Sequence, residues 1–153
     1  REFDGTTLVC AGDVPFLSAE TIGELMAVHD RTGASATCLS AIFDDPTGYG
    51  RIVRDGDSEF LKDIVEHKDA SEEVRQIREI NSGTFCFDNR QLFGVIDEID
   101  DNNAQGEFYL TDAVKILHGK GLKVAVVPCK EPAEVSGVNS KEQLEALARR
   151  FAG

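Results

Sequence analysis

The sequence lacks any apolar run approaching the roughly 20 residues that a membrane-spanning helix needs. Its first residues, "REFDGTTLVC", also lack the charged, then apolar, then small-residue order of a secretory leader. Basic residues are few: 16 Lys and Arg stand against 28 Asp and Glu, for a net charge of −12. Such a surface repels a phosphate backbone, so neither a nucleic-acid nor a membrane partner is expected. Cysteine is present without a pattern. Cys10, Cys38, Cys86 and Cys129 each lie in or beside an apolar run, with no CxxC and no histidine at zinc spacing. They read as buried, inert thiols rather than ligands or disulfides, which places the chain in the reducing cytoplasm. His29, His67 and His118 are too scattered to form a ligand set, and no Ser-His or Cys-His arrangement supplies a protein nucleophile. No repeat, low-complexity tract or linker divides the 153 residues, and 41% hydrophobic with 29% charged suits one domain with a real core.

What is present alternates. Residues 6–11 read as a buried strand, and Ser18 then caps a helix whose Ile22, Leu25, Met26 and His29 share one face until Gly33 closes it. Residues 34–43 read as a second strand. "RIVRDGDSEFLKDIVEHK" holds two β-rich runs around Asp55-Gly56, a hairpin signal. A short charged helix over 71–77, a strand "GTFCFD", and a helix "NRQLFGVIDEI" with Leu92, Phe93, Ile96 and Ile99 on its apolar side follow. Then come a helix "YLTDAVKILHGKG", a strand "KVAVVP", and a last helix opened by the capping box Ser140-Lys141-Glu142-Gln143. Strands alternating with helices predict an α/β layer with a largely parallel sheet, and the central hairpin predicts an inserted β-flap.

Several short motifs carry chemistry. In "LVCAGDVPF" an apolar strand stops at Gly12-Asp13, where ligands of open parallel sheets bind. A lone carboxylate there suffices for Mg²⁺ when phosphates and water complete the shell; it equally suits a residue that only bonds its own turn. "DDPTGYGRI" places Gly48 and Gly50 around Tyr49, where a backbone N–H can meet a ligand or a loop simply needs glycine. "IVEHKD" sets Glu66 and Lys68 on one face of a strand, as a hydroxyl-accepting carboxylate or as a solvated pair. "EINSG" and "SGVNS" put Asn81 and Asn139 at element boundaries, common turn positions in their own right. "DNNAQGEF" is the most polar loop.

In this order and spacing "GDVPFL", "DDPTGYGRIVRD", "IVEHKDASEE", "REINSGTFCFD", "DNNAQGEFYLTDAV" and "EVSGVNS" resemble the uridyltransferase domain of the bacterial bifunctional enzyme that makes UDP-N-acetylglucosamine. The resemblance covers nearly the whole chain. It implies a Rossmann-like nucleotidyltransferase (nucleotide-diphospho-sugar transferase) fold with a mixed, mostly parallel sheet. It implies conversion of UTP and N-acetylglucosamine 1-phosphate to UDP-N-acetylglucosamine and pyrophosphate, for peptidoglycan and lipopolysaccharide synthesis in the bacterial cytoplasm. By the same resemblance Mg²⁺ is the cofactor, held by Asp13 and Asn139. Ala11, Gly12 and Asp13 would contact the nucleotide, and Gly50, Glu66 and Asn81 the N-acetylglucosamine portion.

The sequence departs from the family in two places. Ala11 stands where many relatives carry tyrosine before the "GD", and the family's glycine-rich "LAAGxGTRM"-type phosphate loop is not among these residues. The expectation is therefore the second half of a uridyltransferase domain over residues 1–153, without its N-terminal strands and without the acetyltransferase β-helix. A sheet so opened is expected to self-associate or to pair with a complementing N-terminal segment. Two other readings stay open: a pyrophosphorylase for another sugar phosphate such as N-acetylgalactosamine 1-phosphate, and a non-catalytic sugar- or protein-binding module.

Overall fold

A computed structural model describes residues 4–151. Six strands form one sheet: β1 (Thr6–Val9), β2 (Ala36–Ile42), β3 (Arg51–Arg54), β4 (Phe60–Val65), β5 (Glu79–Asp88) and β6 (Val124–Pro128), in the spatial order β1-β5-β2-β6-β4-β3. Among the described residues five α-helices accompany them: α1 (Ala19–Thr32), α2 (Glu72–Arg75), α3 (Asn89–Val95), α4 (Asp112–Gly119) and α5 (Lys141–Phe151). Among the described residues no helix is long and apolar enough to cross a membrane.

The helix ends form where side chains satisfy the free backbone groups. Ser18 Oγ accepts from Thr21 N at 3.1 Å, and Gly33, at φ +57°, donates its N–H to His29 O, closing α1. At α5 the capping box forms: Gln143 N donates to Ser140 Oγ, while Gln143 Oε1 accepts from the N–H groups of Ser140 and Asn139.

Helices cover both faces of the sheet. On one, α3 and α4 set Leu92, Val95, Val114 and Leu117 against Phe85, Phe87, Ile64 and Val124. On the other, Leu25 of α1 packs with Leu39, Ile80, Cys86 and Val135. Burial pushes the thiols of Cys38 and Cys129 up and that of Cys86 up to about 11, which makes them the inert core groups expected. Cys10 is a correction: it lies just past β1 and is exposed. His29 is a core residue bonded to Thr37 Oγ1 at 2.9 Å, and burial lowers its pKa against the pull of Asp30 and Asp88.

The sheet is mixed, as expected, but the parallel majority is not there. Among the described residues only β2–β6 is parallel; β1–β5, β5–β2, β3–β4, β3–β5 and β4–β6 are antiparallel. The α1 crossover does make β1 and β2 run the same way, but β5, reached from β4 through the 66–78 connection that carries α2, runs with β4 and enters between β1 and β2 in the opposite sense. Nor is the hairpin a flap standing off the sheet. It joins β6 through Phe60 and Leu61 and β5 through Arg51, and Arg54 grips Glu79 of β5 with two bonds of 2.7 Å.

Three local expectations also change. "EINS" lies inside β5 rather than at a boundary, and β4 ends at Val65, so Glu66 and Lys68 sit in the following turn. Met26 of α1 and Phe93 and Ile96 near α3 are exposed, because α1 packs through Thr21, Leu25 and His29 and α3 through Asn89, Leu92 and Val95.

Candidate functional site

The turn after β1 puts Asp13 at the sheet edge. Its carbonyl accepts the N–H of Val138 at 2.8 Å, which brings the "GVN" segment alongside and Asn139 to the same edge. Both side chains are exposed, and among the described residues no hydrogen-bond donor takes the Asp13 carboxylate or the Asn139 amide oxygen. A Cβ on Gly137 would stand 3.5 Å from Asp13 Oδ2 and 3.6 Å from the Tyr49 hydroxyl, and Gly137 N donates to that hydroxyl at 3.2 Å. One carboxylate and one amide oxygen, both hard and both free, fit Mg²⁺ with phosphate oxygens and water completing the shell. Among the described residues no group of three or more His, Cys, Asp or Glu offers a self-sufficient metal cage.

The second group lies one residue beyond Tyr49. Gly50 packs closely on Glu66: a Cβ there would be 3.3 Å from both carboxylate oxygens, which would have to give way by a few tenths of an ångström. Gly50 O accepts from Asn81 N at 2.9 Å, and Glu66 Oε1 accepts from Thr111 Oγ1 at 3.1 Å. Burial pushes the Glu66 carboxyl up, the Thr111 bond opposes, and Asp112 and Asp69 add to the rise.

A bulge in β5 ties the two groups together. Two steps along β2, Cys38 to Ser40, face four along β5, Asn81 to Phe85. Within the bulge Gly83 adopts φ +78°, its N–H donates to Asn81 Oδ1 at 2.9 Å, and a Cβ on it would sit 3.0 Å from Ala11 Cβ. The structure thus brings Gly50, Glu66 and Asn81 together, and Ala11, Asp13 and Asn139 together. Gly12 is exposed on the same turn, with nothing within 4 Å of its Cβ position.

Tyr49 and Thr111 have no functional signal of their own in the sequence. Tyr49 reads only as a spacer between two glycines, and the Glu66–Thr111 bond spans 45 positions. A cavity of about 450 Å³ lies behind Glu66, between β4, α4 and the loop after α3; its lining includes Asp63, Asp69, Asp100, Asp112 and Lys115. Of the residues picked out in the sequence, Glu66 reaches it, together with Ile99 and with Asn102 and Asn103 of the polar loop "DNNAQGEF".

Glu134 holds the loops beside Asp13 and Asn139 in register. Its Oε2 accepts from Ser18 N at 3.0 Å and Thr21 Oγ1 at 2.7 Å, joining the start of α1 to the segment before Gly137. Burial raises this carboxyl, but the bonds from Thr21 and Ser18 outweigh it and the pKa is lowered. Its contribution is therefore present above the ordinary glutamate range and lost as pH falls through the lowered folded value. Glu134→Ala is expected to cost about 1–2 kcal/mol in urea unfolding at neutral pH. The difference from the parent should shrink on acidification, and an unchanged midpoint at neutral pH would remove Glu134 from this role.

No family model matches the chain. It is 48% identical over 149 residues to the bifunctional protein GlmU of Geobacillus thermodenitrificans, covering 97% of this chain and 32% of that protein. It is 51% identical over 140 residues to the GlmU proteins of Halalkalibacterium halodurans and Enterococcus faecalis, covering 92% of this chain and, for the former, 30% of the relative. The chain thus spans about a third of the length of the curated relatives it matches. Among solved structures, a nucleoside-diphosphate-sugar pyrophosphorylase from Vibrio cholerae superposes with a TM-score of 0.68 at 14% identity, covering 97% of this chain and 58% of that one. An apo UDP-glucose pyrophosphorylase does so with a TM-score of 0.68 at 13% identity, covering 97% and 55%. In sequence the chain is thus similar to the GlmU proteins over about a third of their length, and it shares its fold with these nucleotide-sugar pyrophosphorylase structures.

Proposed function

We propose that these residues form the sugar-phosphate side and the metal-holding edge of an N-acetylglucosamine-1-phosphate uridyltransferase, the second half of that domain. The observation that carries this reading is Tyr49: its backbone belongs to the Gly50–Glu66–Asn81 group, while its hydroxyl takes Gly137 N–H beside Asp13. A sugar phosphate lying across the two would present hydroxyls to Glu66 and phosphate to the edge. Glu66 accepts sugar hydroxyls, Gly50 admits the ring by having no side chain, and Asn81 keeps Gly50 in place. Ala11 and Gly12 leave the turn open for the nucleotide. The phosphate oxygen of the sugar attacks the α-phosphate of UTP in line and pyrophosphate leaves, so the chain's task is positioning without a covalent intermediate. Asp13 and Asn139 are the Mg²⁺ ligands, and the ion when bound neutralises charge on the phosphates that must approach each other. β1 forms an edge of the sheet, with Leu8 38% exposed, and is the seat for a complementing strand or a second copy.

The test is pyrophosphate release from UTP and N-acetylglucosamine 1-phosphate. Two proteins are compared: the 153-residue chain, and a hybrid in which this chain replaces the stretch it matches in Geobacillus thermodenitrificans GlmU. The hybrid is expected to turn over at about 1 per second or faster. The chain by itself should show negligible turnover, since its residues include no glycine-rich phosphate loop. A folded but inactive hybrid would overturn the reading, and turnover by the chain alone would overturn the half-domain assignment.

A further inference from the structure

Arg51 is 1% exposed and is the largest fully buried side chain among the described residues, yet no carboxylate forms an ion pair with it there. Its Nη1 donates to Tyr49 O, its Nη2 stands 3.4 Å from His67 Nδ1, and its Nε has no partner. A desolvated guanidinium without a carboxylate partner is a poor stabiliser, and burial with Arg75 nearby lowers its pKa against the pull of Asp45. The two acceptors flank the residues assigned to the sugar: Tyr49 precedes Gly50, and His67 follows Glu66.

The backbone shows what the guanidinium achieves. Tyr49 N donates to Pro46 O at 3.2 Å, Tyr49 O is taken by Arg51, and Gly50 O is taken by Asn81 N. Gly50 is buried, and among the described residues its N–H has no acceptor, an uncommon state for a buried amide. In a trans peptide the C=O and N–H point to opposite sides. A guanidinium gripping Tyr49 O therefore turns Gly50 N–H away from Arg51.

We propose that Arg51 is a positioning residue. It touches no substrate; it fixes the Tyr49–Gly50 peptide and the turn carrying Glu66, so that one N–H and one carboxylate face the same sugar phosphate. This rests on the sugar-phosphate reading above.

The test uses the 153-residue chain, with N-acetylglucosamine 1-phosphate as the probe and amide and carbonyl NMR shifts as the readout. Arg51→Met removes the fork and the buried charge together. It should keep the melting temperature or raise it, shift the free-state Gly50 amide and Tyr49 carbonyl signals, and weaken the sugar phosphate about tenfold, the scale of one misdirected hydrogen bond. Arg51→Lys, which keeps the charge without the fork, should weaken binding by a similar factor and serves if Arg51→Met does not fold. A folded variant with parental affinity overturns the inference. If the parent chain does not bind the probe, the sugar-phosphate reading fails instead. The free-state shifts then decide about Arg51 alone: unchanged Gly50 and Tyr49 signals would show that it orients neither group.

Discussion

Asp13→Asn in the hybrid protein is expected to lower uridyl transfer about 10²-fold or more, the scale of losing one preorganised electrostatic group, while leaving the melting temperature unchanged. Asparagine keeps the size of the side chain, and the bond from Val138 N goes to the Asp13 carbonyl, which the substitution does not touch. What is lost is the negative charge at an edge where no described donor satisfies it. The defect is then in metal retention, so raising Mg²⁺ should restore part of the rate. Asn139→Ala should behave alike, through its missing amide oxygen. If Asp13→Asn instead lowers the melting temperature and leaves the rate of the folded protein intact, Asp13 is only a turn residue.

Glu66→Gln should separate stability from binding. The Glu66 carboxyl is raised above the ordinary glutamate range chiefly by burial, with the Thr111 bond opposing and Asp112 and Asp69 adding. A raised acid binds its proton more readily in the folded chain. Its charge therefore costs stability, and the cost develops as pH rises through the window between the ordinary and the raised value. Glutamine removes that cost, so the variant should melt at or above the parent's temperature at neutral pH and lose the advantage in acid. Sugar-phosphate affinity should nevertheless fall about 10- to 100-fold, because bonds from hydroxyls to a charged acceptor become bonds to a neutral one. A less stable variant with unchanged affinity would make Glu66 a structural support for Thr111 and Gly50.

The elements were legible where the code is local. Ser18, Gly33 and the Ser140–Gln143 box mark helix ends by bonds made within a few residues, and the Asp55-Gly56 hairpin marks itself by turn chemistry. Pairing direction was not legible, because β5 meets β1 and β2 across distances of chain that periodicity does not report. The "EINS" run reads as a turn because Asn and Gly favour turns. It lies in a strand because Ser82 Oγ bonds Leu39 O and Glu79 is held by Arg54 and Ser40. At the site, glycines and carboxylates announced themselves by residue type. Tyr49, Thr111 and Arg51 did not, since each acts through a bond or a burial that only the folded chain creates.

The central claim is that the Asp13–Asn139 edge and the Gly50–Glu66–Asn81 group are two ends of one sugar-nucleotide site. Steady-state turnover of the hybrid with UTP and Mg²⁺ tests it most directly, with N-acetylglucosamine 1-phosphate, N-acetylgalactosamine 1-phosphate and glucose 1-phosphate offered in turn. The account predicts efficient turnover with the first, which Asp13→Asn lowers mainly in kcat and Glu66→Gln mainly through KM for the sugar phosphate. A folded hybrid that turns over none of the three, or one whose kinetics neither substitution changes, would contradict it.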